Sequence, residues 1–313
     1  MKPKIIFLGT PEFGAIVLKK LIENDFKPAL VITAPDKPVG RKQIVTPSQV
    51  KVVAEKYKVP ILQPEKIKEV ESEIKKLKPD LIITAAYGEI IPKKILDIPK
   101  YSSLNVHPSL LPEYRGASPV QFAILNGEKK TGVTIIKMNE KLDQGPILAN
   151  LEYLIENSEI THQELEEELA NWGVELLIEI IPDWVDGKIK SKPQDESKAS
   201  YTRTIKKEDG KIDWNNTAEE IERQVRAFNP WPSAFCEVND KTIKIWKASR
   251  LKHTEYSPSG PPGKVYLAPN DRIAVQCGKD YLIIEELQFS GKKKMKVEEF
   301  LKGNIDFIGT ILK

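Results

Sequence analysis

Lys4-Ile5-Ile6-Phe7-Leu8-Gly9-Thr10-Pro11-Glu12-Phe13-Gly14 is an apolar run that breaks at a glycine and a proline. Apolar at consecutive rather than alternate positions, it suits a strand buried on both faces of a parallel sheet. Pro11 favours a helix start, and Phe13, Val17, Leu18 and Leu21 supply a stripe at helical spacing. The pattern recurs: residues 29–34 (Ala-Leu-Val-Ile-Thr-Ala) and 80–86 (Asp-Leu-Ile-Ile-Thr-Ala-Ala) read as strands, with helical periodicity over 48–57 and 65–77. This alternation predicts an α/β fold with a doubly wound, Rossmann-like sheet. A dinucleotide site would need Gly-x-Gly-x-x-Gly after the first strand. Here Pro11 and Glu12 stand where a pyrophosphate would approach, which argues against a nicotinamide cofactor. The helix start near Thr10 can hold an anion or need no ligand at all.

The chain has 313 residues, 40% of them hydrophobic, enough for two domains. It has no charge-free apolar run of membrane-spanning length, and the first apolar segment is too short for a signal peptide, so a soluble, cytoplasmic protein with no membrane partner is expected. Cys236 and Cys277, with three scattered histidines, lack metal-ligand spacing, and no metal is expected. Residues 204–313 carry 19 basic and 16 acidic side chains, which accounts for the whole net charge of +3. That asymmetry hints at a polyanionic partner for the C-terminal part.

Thr161-His162-Gln163-Glu164 has the form of a capping box opening a long amphipathic helix, which completes a first domain over 1–186. Residues 187–203, with Lys-Pro-Gln-Asp-Glu-Ser, read as a linker. From 204 to 313 one helix (218–227) precedes short alternating segments at 234–238, 242–248, 264–267, 272–277 and 281–287. Such a series predicts a small OB-like β-barrel. Between strands of the first domain, residues 36–47 read as a long loop with Lys37, Arg41 and Lys42 beside Gly40, either a binding element or a solvated loop whose basic residues face water.

Leu104, Asn105, Val106 and His107 alternate apolar and polar, so a strand here aims Asn105 and His107 from one face. Pro108 ends it and leaves His107 facing a loop, at the sheet edge where α/β proteins bind ligands. Residues 87–92 follow the previous strand to the same edge. Gly145, in Leu142-Asp143-Gln144-Gly145-Pro146, suits a tight turn presenting Asp143 inward. Singly, each of these polar residues is as readily a satisfied core group as a catalyst. Together, with no nucleophile elbow in the chain, an amide donor, an imidazole and a carboxylate suit direct transfer of an acyl-like group between two bound substrates.

Asn105-Val-His107-Pro-Ser109-Leu-Leu-Pro112, Tyr114-Arg115-Gly116 and the Asp143 segment resemble the formyltransferase superfamily that uses N10-formyltetrahydrofolate. Residues 7–13, 35–41, 226–232 and 245–248 resemble the branch acting on methionyl-tRNA. The resemblance spans essentially the whole chain. It implies transfer of a formyl group from that folate cosubstrate to the α-amine of methionine on initiator tRNA, by an enzyme working as a monomer in translation initiation. Asn105, His107 and Asp143 take the catalytic roles. Ser109, Leu110, Leu111, Pro112, Tyr87, Gly88 and Leu142 line the folate site, although Leu110 and Leu111 read equally as core. The loop of Lys37, Arg41 and Lys42 meets the acceptor end of tRNA, departing from the family's Gly-Arg-Gly-Lys-Lys. In the C-terminal domain Lys244, Lys247 and Arg250 read as phosphate contacts or as a solvated face, and Trp231 as an interdomain packing anchor rather than a base-stacking platform. Glycinamide ribonucleotide and amino-sugar formyltransferases, and a tRNA-binding module without activity, are the rival readings.

Overall fold

The computed structural model describes residues 2–40, 43–256 and 258–313, which form two compact units. The first unit comprises Met1–Pro119, Lys129–Glu156 and Leu165–Arg203. Its elements in chain order, with two helices that run past these limits, are β1 (Ile5–Gly9), α1 (Glu12–Glu23), β2 (Leu30–Ile32), β3 (Lys37–Val39), β4 (Ile44–Thr46), α2 (Gln49–Lys56), β5 (Ile61–Leu62), α3 (Glu71–Leu77), β6 (Leu81–Ala85), α4 (Lys93–Leu96), β7 (Ser103–His107), β8 (Arg115–Gly116), α5 (Pro119–Leu125), β9 (Lys130–Lys137), β10 (Ile147–Leu154), α6 (His162–Val185) and β11 (Tyr201–Thr202).

The main sheet runs β5-β2-β1-β6-β7-β9-β10. Strands from β5 to β7 are parallel, as the uninterrupted apolar runs require, and order reverses at β1, with β2 and β5 on one side and β6 and β7 on the other. β9 and β10 are antiparallel additions. They extend the expected doubly wound sheet by an edge that its parallel strands do not announce. One face buries Ile5, Phe7, Leu104 and Val106 against α1 and α6; the other buries Ile6, Leu8 and Ile82. Each such side chain contributes about 1.5–3 kcal/mol relative to exposure.

Phe13, Val17, Leu18 and Leu21 are the buried stripe of α1, and Pro11 caps it. A Cβ at Gly9 or at Gly14 would lie 2.8 or 2.7 Å from the Ala85 carbonyl oxygen. These glycines therefore permit the helix start to lie directly on the end of β6. The periodicity over 65–77 resolves into a 3-10 turn (Ile67–Val70) continued by α3. Residues 36–47 differ from the long loop expected: β3 and β4 pair as an antiparallel hairpin. Asp36 anchors its base, accepting from Lys51 Nζ at 2.6 Å and Gln63 Nε2 at 2.7 Å, and the Lys51 bond holds its carboxyl below the usual range. Arg41 and Lys42, two of the residues expected to meet tRNA, lie outside the described residues.

The second unit comprises Val120–Glu128, Asn157–Glu164 and Thr204–Lys313. Its strands are β12 (Ala234–Val238), β13 (Lys241–Leu251), β14 (Val265–Ala268), β15 (Arg272–Gln276), β16 (Tyr281–Phe289) and β17 (Met295–Lys296), with helices α7 (Ala218–Ala227) and α8 (Val297–Leu301). The antiparallel order is β12-β13-β16-β15-β14, with β17 on β16. Residues 309–313 close this sheet. Val265 N donates to Thr310 O on the β14 side, while Glu237 and Lys313 exchange backbone hydrogen bonds of 2.7 and 2.9 Å on the β12 side. Closure satisfies both edges, as a small barrel requires. α7 buries Ile221 and Val225 in the barrel core. Among the described residues no helix is long and apolar enough to cross a membrane.

Candidate active site

β7 carries the site because its two faces differ. Leu104 and Val106 are buried in the α6-side core, where Gly173 of α6 approaches Val106, and Asn105 and His107 project from the opposite face. Asn105 pairs in register with Thr84 of β6 and Ile136 of β9. Thr84 Oγ1 is buried and has no hydrogen-bond partner among the described residues, an orphaned polar atom beside the Asn105 amide.

His107 is 4% exposed, with Nε2 at 3.1 Å from the Tyr114 carbonyl oxygen. That oxygen can only accept, so Nε2 carries the hydrogen and neutral His107 keeps its free lone pair on Nδ1. Nδ1 faces Asp143 Oδ1 at 3.7 Å. The gap is too long for a hydrogen bond, but it sets a carboxylate beside the ring nitrogen that has a free lone pair. Asp143 Oδ1 also lies 3.5 Å from Asn105 Nδ2, while Oδ2 accepts from Gly116 N at 2.8 Å. An amide donor, a proton acceptor and an oriented carboxylate thus converge at the carboxyl edge of the sheet. Among the described residues Asn105 Nδ2 makes only this one long bond, which leaves an amide hydrogen available to a ligand oxygen.

Around this centre, Ser109 Oγ donates to Glu113 O at 2.7 Å, and Thr134 Oγ1 donates to Ser109 O while accepting from Leu111 N. The loop carrying Leu110, Leu111 and Pro112 is thereby stapled to β9, with Leu111 buried and Leu110 lying over Gly132. Tyr87 packs in the core, where burial pushes its hydroxyl pKa up, and its carbonyl accepts from Thr10 Oγ1 at 3.1 Å. Gly88 has φ +86° and open space beside it. Leu142 is 59% exposed, on the loop that carries Asp143.

Sequence reading missed four side chains beside the site: Thr84, Gln194, Glu196 and Tyr201. Residues 187–203 belong to the first unit, and β11 pairs with β8. Arg115, 0% exposed, donates to Gln194 Oε1, Glu196 and the Tyr201 hydroxyl. The bonds to Glu196, foremost, and to Tyr201 raise its pKa. An arginine beside the site motif, followed by a polar stretch rich in acceptors, was the available signal.

Residues 3–181 match the formyl transferase family model and residues 204–304 the formyl transferase C-terminal domain. The chain belongs to the formyl transferase family. Among its curated relatives, the methionyl-tRNA formyltransferases of Bacillus velezensis and Bacillus subtilis are 45% and 44% identical over 304 residues, 96% of this chain and 94% of each relative. Solved structures sharing the formyl transferase fold include HypX from Aquifex aeolicus in complex with tetrahydrofolic acid (TM-score 0.65, 18% identity). The alignment covers 98% of this chain and 48% of HypX. An N-formyltransferase from Helicobacter canadensis gives TM-score 0.65 at 22% identity, covering 93% of this chain and 99% of that one.

In this formyl transferase the three barrel-unit cations expected to meet phosphate, Lys244, Lys247 and Arg250, already have partners. Lys244 Nζ lies 3.1 Å from Ser233 Oγ and, with Lys294, flanks the Trp246 ring. Lys247 pairs with Glu159 and Glu285, and Arg250 with Glu219. Lys37 is exposed on the hairpin. Trp231, expected as a packing anchor, is 56% exposed.

Proposed function

We propose that this formyl transferase moves the formyl group of N10-formyltetrahydrofolate to the α-amine of methionine esterified to initiator tRNA, in the cytoplasm and in support of translation initiation. The approach of Asp143 to both Asn105, at 3.5 Å, and His107, at 3.7 Å, carries the reading. The amine nitrogen forms the new bond to the formyl carbon and the bond from that carbon to the folate nitrogen breaks. Asn105 donates to the oxyanion, His107 Nδ1 takes the amine proton, and Asp143 stabilises the imidazolium until that proton passes to the departing nitrogen. Holding both substrates at one edge replaces an encounter in solution by a positioned attack. Exposed Leu142, open Gly88 and the Thr84 hydroxyl fit an amphipathic cosubstrate between the 87–92 and 140–146 loops, with residues 109–112 as the further wall. Lys37, Arg41 and Lys42 with Lys244, Lys247 and Arg250 are the proposed phosphate contacts. The naming of the curated relatives supports methionyl-tRNA as acceptor.

The test offers charged initiator tRNA and glycinamide ribonucleotide together, with labelled formyl donor. Label is expected on the methionine, with the KM for tRNA rising with salt while the KM for folate does not. Label found on the nucleotide alone would refute the acceptor.

A further inference from the structure

The backbone of the loop carrying Asp143 is held by a side chain from 51 residues downstream. Gln194 Nε2 donates to the Asp143 carbonyl and to the Gly145 carbonyl, each at 2.7 Å. Its Oε1 accepts from Arg115 Nε at 3.0 Å and Nη2 at 2.8 Å. A guanidinium can only donate and a carbonyl can only accept, so the amide has one satisfied orientation. Arg115 is fixed in turn by Glu196, by Tyr201 and by its backbone N–H to Ser200 O. Glu196 meets the guanidinium with both carboxylate oxygens, the fork geometry that holds an arginine most firmly. The next residue, Gly116, donates to Asp143 Oδ2. Asp143 is thus gripped at its carboxylate by Gly116 and at its backbone by Gln194, with Arg115 behind both. The strap bearing Gln194 is itself pinned, by reciprocal 2.8 Å backbone bonds between Lys192 and Ile147 and by the β8–β11 ladder.

We propose that Gln194 is a positioning residue of the transfer reaction, setting the carboxylate of Asp143 against Asn105 and His107, with Arg115 fixing its amide. The inference rests on the reading of Asp143 as a catalytic residue. Among the described residues no other side chain donates to the Asp143 carbonyl, and Asp143 sits at φ +53°, in the left-handed region that aspartate readily adopts in turns.

The test compares Gln194→Met in the wild-type background and in Asp143→Ala. Gln194→Met alone is expected to lower kcat about 10- to 100-fold, the cost of a misplacement near 1 Å, with both KM values unchanged. In the Asp143→Ala background the same substitution is expected to cost nothing further, because the group it positions is gone. Wild-type kcat in Gln194→Met, or an equal loss in both backgrounds, would overturn the inference while leaving Asp143 in place. Wild-type kcat in Asp143→Ala would instead remove the underlying reading. Should Gln194→Met fail to fold, Gln194→Glu serves: it keeps acceptors for Arg115 and loses both N–H donors, so the same pair of results is expected.

Discussion

The proposed reaction requires Asp143, on a loop, to reach two side chains of β7, and the neighbours of that residue explain how it does. A Cβ at Gly145 would lie 1.9 Å from the Lys137 carbonyl oxygen. The glycine therefore serves close approach to β9 rather than the tight turn that its sequence context suggests. Gly145→Ala must push the loop away, and Asp143 with it; kcat should fall about 100-fold, as misplacement near 1 Å does. A steady-state assay that finds wild-type kcat in this variant would show that the carboxylate needs no such placement. At this scale sequence was informative only where geometry is local. Alternation along β7 placed Asn105 and His107 on one face, because side chains of a strand alternate by necessity. Gln194 and the buried Arg115 were illegible because a polar stretch has no period. A buried arginine is recognised only through partners distant in the chain, here Glu196 and Tyr201.

Elements were legible in proportion to how completely they are buried. β1, β2 and β6 fall within two residues of the expected spans because burial on both faces leaves an apolar run. β10 escaped notice: it is an edge strand, its pattern mixes Asn150, Glu152 and exposed Leu151 and Leu154, and no alternation survives. The hairpin at 36–47 looked like a loop for the same reason, since β4 is exposed throughout. The capping box at Thr161 was read from spacing alone, and it forms: Thr161 N donates to Glu164 Oε2 at 2.9 Å and Glu164 N to Thr161 Oγ1 at 3.4 Å. Thr161→Ala should cost about 1 kcal/mol. The backbone N–H of Thr161, then its hydroxyl, hold the Glu164 carboxyl below the ordinary glutamate range. A lowered pKa stabilises the fold above the unfolded value, and the contribution disappears as pH falls through the folded one. Thermal unfolding should therefore show a gap between wild type and Thr161→Ala at neutral pH that narrows on acidification. A gap independent of pH would mean that the Thr161 hydroxyl does not stabilise the Glu164 carboxylate.

Across the whole molecule, the two units differ in composition. The first unit supplies a sheet edge carrying three convergent polar side chains; the second supplies a closed barrel whose residues 204–313 hold the net charge of +3. That excess is small, and Glu159, Glu285 and Glu219 already face Lys247 and Arg250. A polyanion bound there must compete with these ion pairs, so its contacts are screened by salt. Fold class and family were legible in sequence because apolar runs and the Asn105–Pro112 motif are contiguous. The closure of the barrel by residues 309–313 was not, since two backbone edges carry no side-chain signal. In the proposed reaction, formyl transfer at this edge depends on the Asn105 amide as an oxyanion donor. The single-turnover rate of formyl transfer to charged initiator tRNA in Asn105→Ala measures it directly. A fall of about 10²- to 10³-fold, with the protein folded and both substrates bound, is the predicted result; an unchanged rate would contradict the account.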